Sequence, residues 1–137
     1  MRVYVPLAIA ELRALATTRR LPGPLEAYAV TSPLRVWVGS NDDEELEYAA
    51  LTAAAAASRA RFDPGAPEDV RRIVVAVDVP DAAVITVDDD AAEPGCVVVG
   101  RSVSLAQVAS VHVDTGAAAD DEDLAWYATS ELDDLLG

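Results

Sequence analysis

The run "RRIVVAVDVP", residues 71–80, constrains this chain more than any other stretch. Its apolar residues are unbroken from Ile73 to Val77. A half-exposed strand would alternate; a continuous β-branched run bounded by arginines and a proline predicts an interior strand covered on both faces. Such a strand has no wet side, so the chain must supply a layer above it and a layer below. Asp78 sits at the end of the run. An acid in an apolar strand must find a partner or lie at the strand terminus. Val79-Pro80 follows, so Asp78 is expected near that terminus, paired with a donor such as arginine.

The remaining segments offer suitable layers. "RVYV" at 2–5 alternates and reads as a strand, and Pro6 suits the first turn of a helix through "LAIAELRALATT". "PGP" at 22–24 ends that helix, and "EAYAV" at 26–30 reads as a second strand. In "TSPLRVWVG", Ser32 as cap, Pro33 at the first helical position and Gly39 as terminator predict a short helix; strand is the alternative, because "RVWV" alternates. "NDDEELEYAALTAAAAASRARF" is the clearest helix, with Asn41 and Glu44 at capping-box spacing and an acidic first turn. Leu46, Ala50, Ala53 and Ala57 form one small-residue face, and Tyr48, Leu51, Ala55 and Phe62 a second apolar face. "AVITV" at 83–87, "CVVV" at 96–99 and "SVHV" at 110–113 read as strands, with a helical turn at 104–109. Residues 115–123 read as a flexible acidic loop and 124–136 as a C-terminal helix docked on the core. Four leucines line one side of that helix, and Trp126 points the opposite way. The sum is a single α+β domain over 1–137, with a mixed sheet of about five or six strands covered by helices.

Charge limits the partners. The chain carries a net charge of −14, and all its bases are arginine. Residues 1–35 are net +3, residues 36–101 net −9, and residues 102–137 net −8 with no base at all. Binding nucleic acid or an anionic membrane requires basic residues to meet phosphate, so neither is expected. A basic protein partner, or a second copy of the chain, fits better. "MRVYVP" enters strand-like sequence directly, which predicts no leader, and no apolar stretch is long enough to span a bilayer. Cys96 is the one cysteine, and it opens a strand-like run, which predicts a buried thiol and no disulfide. These features together predict a cytoplasmic protein.

Signals for chemistry are sparse. There is no glycine-rich phosphate loop, no nucleophile elbow and no His/Cys cluster, so neither a cofactor nor a metal is expected. The acidic runs Asp42–Glu45, Asp88–Asp90 and Asp120–Asp123 read as solvated caps and loops. In "SVHVD", Ser110, His112 and Asp114 share one face of a strand, as a base oriented by a carboxylate requires. No local motif supplies a nucleophile to such a pair, and no residue is assigned a catalytic role. An exposed Trp126 is a candidate anchor for a partner. Tyr4, Tyr28, Thr31, Arg35, Tyr48, Asp78 and His112 fall near predicted strand ends and helix starts, and are candidates to line a small-ligand pocket.

Several segments together, "MRVYVP", "PGPLEAYAVTSPLR", "EELEYAALTAAAAAS", "VVAVDVPDAAV", "VASVHVD" and "WYATSEL", resemble a family of small actinobacterial proteins of unknown function. That resemblance implies no active site. The order of elements also resembles the ADP-ribosyltransferase-type fold, which implies a nucleotide pocket. Those enzymes carry a histidine near a threonine in the first strand, where this chain reads Tyr4-Val5-Pro6, so the resemblance implies at most a residual pocket. Two functions follow as expectations. The first is a non-enzymatic, cytosolic protein-interaction or self-associating domain. The second is a small-ligand or nucleotide-binding domain on a degenerate transferase-like fold.

Overall fold

The apolar run at 73–77 does form a two-sided interior strand. The computed structural model of the chain describes residues 1–61, 71–87, 93–114 and 124–136. The strand Ile73–Asp78 (β4) lies between Arg2–Leu7 (β1) and Val108–Val113 (β8), antiparallel to both. The full order is β5-β6-β3-β1-β4-β8-β9, where β3 is Leu25–Tyr28, β5 Val84–Thr86, β6 Cys96–Val99 and β9 Ala125–Tyr127. Among the described residues the sheet therefore has seven strands rather than five or six, and its pairs run antiparallel rather than mixed. Two short strands, Arg20–Leu21 (β2) and Val103–Ser104 (β7), pair separately.

Both faces of β4 are covered, as its sequence demands. One face sets Val3, Val5, Val75, Val77, Val97 and Val111 against Ile9, Leu12 and Leu15 of the helix Ile9–Thr18 (α1). The other sets Tyr4, Tyr28, Val74 and Ala76 against Leu34 of Ser32–Val38 (α2) and Ala50, Ala54 and Ala55 of Asp43–Arg59 (α3). Alanine contacts let α3 lie close to the sheet. A buried serine fixes its last turn: Ser58 Oγ donates to the Leu7 carbonyl at 2.7 Å and accepts from Ile73 N–H at 2.8 Å. Those are the two backbone groups at the ends of β1 and β4, so one hydroxyl satisfies both.

Local details depart from the sequence reading in several places. Pro6 stays in β1 and the helix begins at Ile9. Proline is tolerated there because β1 has a register partner in β3 only at Tyr4↔Tyr28, so the ladder on that side has already stopped. Thr31, not Ser32, caps α2, its hydroxyl accepting from Leu34 N–H. Asp42, not Asn41, caps α3. Gly39 closes α2 at φ 74°, in the left-handed region that favours glycine.

The largest departure is at the C-terminus. Residues 124–136 are not one helix. Ala125–Tyr127 pairs with β8 as the sheet's edge strand, a 3₁₀ turn follows at Thr129–Glu131, and only Leu132–Leu135 (α4) is α-helical. Pairing with the exposed edge of β8 outweighs the helical spacing of the leucines, and Trp126 and Tyr127 have good strand propensity. Leu132 is buried in the core, and Thr129 Oγ1 donates to the Val108 carbonyl at 2.9 Å. The acidic loop expected at 115–123 lies outside the described residues, as do Phe62, Asp88–Asp90 and Asp120–Asp123.

Candidate functional site

Of the pocket residues expected from the sequence, Tyr4, Tyr28, Asp78 and His112 lie on the sheet, and Thr31, Arg35 and Tyr48 on α2, its cap and α3. Tyr4 and Tyr28 are register neighbours on β1 and β3, and both are buried beneath α2 and α3. Burial first, then the hydrogen bond from Tyr28 Oη to Glu26, pushes the Tyr28 phenol well above its ordinary pKa. Burial, with Glu47 nearby, does the same to Tyr4. Both phenols are core groups. Thr31 is the helix cap already described. Arg35 is half-buried on α2. Asp78 ends β4 and accepts from Arg2 Nε and Nη2, each at 3.0 Å. It has the strand-end position and the arginine partner expected for it.

His112 and Asp114 do share a face, but they do not form a dyad. Both Asp114 oxygens are taken by Arg72: Oδ2 accepts from its backbone N–H at 2.8 Å and its Nε at 2.9 Å, and Oδ1 from Nη2 at 2.9 Å. Burial raises the Asp114 pKa, but Arg72's hydrogen bonds and charge, with that of Arg59, outweigh it and hold the carboxyl below its ordinary value. The partner of His112 is Ser110, with Oγ and Nε2 2.9 Å apart. Burial, then the charge of Arg2, lowers the histidine pKa, so the ring is neutral at pH 7. A hydroxyl beside a neutral imidazole suggests nucleophilic chemistry. However, Ser110 is only 6% exposed, too little for a substrate carbonyl to reach it.

Trp126 lies on β9 directly across from His112 and is 62% exposed. It is exposed because α2 and α3 lie mainly over the middle of the sheet; α3 packs chiefly on β1, β4 and β3. Cys96 is half-buried rather than buried, and burial raises its pKa.

Of the expected set, Tyr48 lies in a concave site. A groove of about 680 Å³ runs between α2 and α3. Leu34 and Val38 of α2 form its floor on one side. Ala49, Ala53 and Ala56 of α3 form the opposite wall. Trp37 and Tyr48 stand over it, 71% and 56% exposed. Glu45, Glu93, Thr52 and Pro94 also line it, and among the described residues no basic one contributes. The groove exists because α3 presents alanines where a larger side chain would have filled the space beside Trp37. The sequence reading does not single out Trp37. One signal for it was available. "VWV" at 36–38 is a consecutive apolar run in a helix of two turns, and such a helix buries only one side. Leu34 takes that side, and Val36 and Trp37 are left out.

Among the described residues, no buried side-chain nitrogen or oxygen lacks a hydrogen-bond partner. None of their His, Cys, Asp and Glu side chains form a group able to hold a metal. No described helix is long and apolar enough to cross a membrane. No curated protein and no solved structure matches the chain. The model of a family of unknown function (DUF6912) matches residues 1–121, which takes in both walls of the groove and stops short of Trp126, and the chain belongs to that family.

Proposed function

We propose that this is a non-enzymatic, cytosolic interaction domain that receives an apolar segment of a partner protein in the groove between α2 and α3. One observation carries the reading: two large aromatics, Trp37 and Tyr48, stand solvent-exposed over an apolar floor. Trp and Tyr are the residue types most often found as anchors in protein interfaces. The volume alone would suit a small molecule. Two facts favour a protein segment instead. Both aromatic walls stay largely open to water, so a small ligand would keep much of its surface wet. The apolar floor also offers no unpaired buried polar group to orient such a ligand. The small-ligand reading relied on Tyr4, Tyr28, Thr31, Arg35, Tyr48, Asp78 and His112; of these, Tyr4 and Tyr28 are buried in the core, Thr31 caps α2, and Asp78 and His112 are partnered by Arg2 and Ser110.

A displayed library of random peptides, selected on the whole chain, tests this. Selected peptides are expected to carry aromatic or aliphatic anchors. They should lose binding on Trp37→Ser and keep it on Trp126→Ser. Peptides that depend on Trp126 alone would move the site to the β8–β9 flank, and peptides indifferent to both would refute the groove.

A further inference from the structure

We infer that the segment seated in the groove is basic: an amphipathic stretch whose apolar side chains are flanked by arginine or lysine. This rests on the groove reading above and names the partner's chemistry. Among the described residues the lining supplies two carboxylates, Glu45 and Glu93, and no cation. Glu45 is held in place, its Oε2 accepting from Ser40 Oγ at 2.8 Å. It belongs to an acidic first turn with Asp43 and Glu44, directly after the capping Asp42. Glu26 and Glu93 both act on Cys96 and Tyr28, so a third carboxylate stands close to the Glu93 end. An acidic or phosphorylated segment would bring like charge against this rim. A basic one would pair with it, and its cations would also find the open face of the Trp37 indole.

A second copy of this chain fits poorly. Five of its ten arginines lie in positions 1–35, the net-basic part of the chain, and the large apolar residues of α1 in that part, Ile9, Leu12 and Leu15, are already buried in the core. Two copies would also bring together chains of net charge −14.

The test uses the full chain and three labelled synthetic helices with the same leucine pattern, carrying lysine, glutamine or glutamate on the polar face. Binding is read by anisotropy at about 0.05 M and about 0.5 M salt. The expected order is lysine, then glutamine, then glutamate, with the differences shrinking at high salt. Glu45→Gln/Glu93→Gln should weaken the lysine helix about fivefold, as expected for two rim ion pairs. Asp133→Asn/Asp134→Asn removes the same charge from α4 and should leave binding unchanged. Trp37→Ser should abolish binding, with an unaltered melt showing that the variant folds. If the lysine and glutamine helices bind equally well, the basic partner is refuted while the groove stands. If the α4 variant weakens binding as much as the groove variant, the preference belongs to the whole chain and the inference fails. If no helix depends on Trp37, the groove reading fails too. Self-association that is lost with Trp37→Ser would make the occupant a second copy and overturn the basic segment.

Discussion

The two faces of the central sheet are held by different chemistry. On the α1 face, valines from β1, β4, β6 and β8 meet Ile9, Leu12, Leu15 and Leu132, and almost all the contact is carbon. On the α2–α3 face the buried set is smaller, with two tyrosines and four alanines among eight residues. Alanine buries little apolar area, so this face gains less from the hydrophobic effect. Polar ties make up part of the difference: Ser58 to the ends of β1 and β4, Tyr28 to Glu26, and Arg72 to Asp114. A face filled with small residues also leaves its margin unfilled, and the groove lies at that margin. The difference is that one face is closed by packed carbon and the other leaves apolar surface uncovered at its margin.

The sharpest way to break this comparison is at the ion pair. Asp114→Ala leaves a buried Arg72 charge without its carboxylate and should cost about 3–5 kcal/mol in chemical denaturation. The same pair sets an acid limit. The Asp114 carboxyl is held below its ordinary value, so the unfolded state binds its proton first as pH falls. The stability it contributes is therefore present above about pH 4 and lost below it, as the folded carboxyl in turn protonates. Denaturation midpoints taken from neutral to acid pH should show this loss in the parent chain and a flatter profile in Asp114→Ala. An unchanged profile would mean that the pair does not stabilise the fold.

Next come paired substitutions on the two faces. Leu12→Ala, on the carbon-rich face, should cost about 2–5 kcal/mol by opening a cavity. Ala54→Leu, beneath α3, should cost about 1–3 kcal/mol for the opposite reason, since there is no room to add carbon. If Ala54→Leu were neutral, α3 would not be close-packed, and the contrast between the faces would be weaker than drawn.

The smallest stability effect belongs to the groove. Ala56 is exposed on its α3 wall, so Ala56→Leu should change stability by less than about 0.5 kcal/mol. It should nonetheless block the groove and reduce peptide binding. Thermal melts and anisotropy on the same preparation separate the two effects. A large destabilisation would show that the wall is part of the core.

Much of the fold is legible in the sequence because its causes are local. The unbroken run at 73–77 demands a two-sided strand, Pro33 and Gly39 bracket a short helix, and the acidic start and arginine end of α3 mark the longest helix. Asp78 before Val79-Pro80 is placed at a strand end by the cost of burying a lone carboxylate. The candidate site is hardly legible. Tyr48 is singled out among many residues, and Trp37 is not singled out.

Three matters were decided by the tertiary structure alone. Residues 125–127 become a strand because β8 offers an edge to pair with, and a sequence window holding leucines at helical spacing carries no information about that edge. Asp114 takes Arg72, 42 positions away in the chain, rather than His112 two positions away, because β4 and β8 bring the arginine to both carboxylate oxygens. Leu34 rather than Trp37 is the covered side of α2 because Leu34 meets the sheet and α3, while the wall of α3 beside Trp37 is alanine. Periodicity, capping and turn chemistry act over a few residues, and the sequence by itself determines what they govern. Which side chain is covered, and by what, depends on surfaces from distant segments meeting, and that is settled only when the sheet and its helices pack.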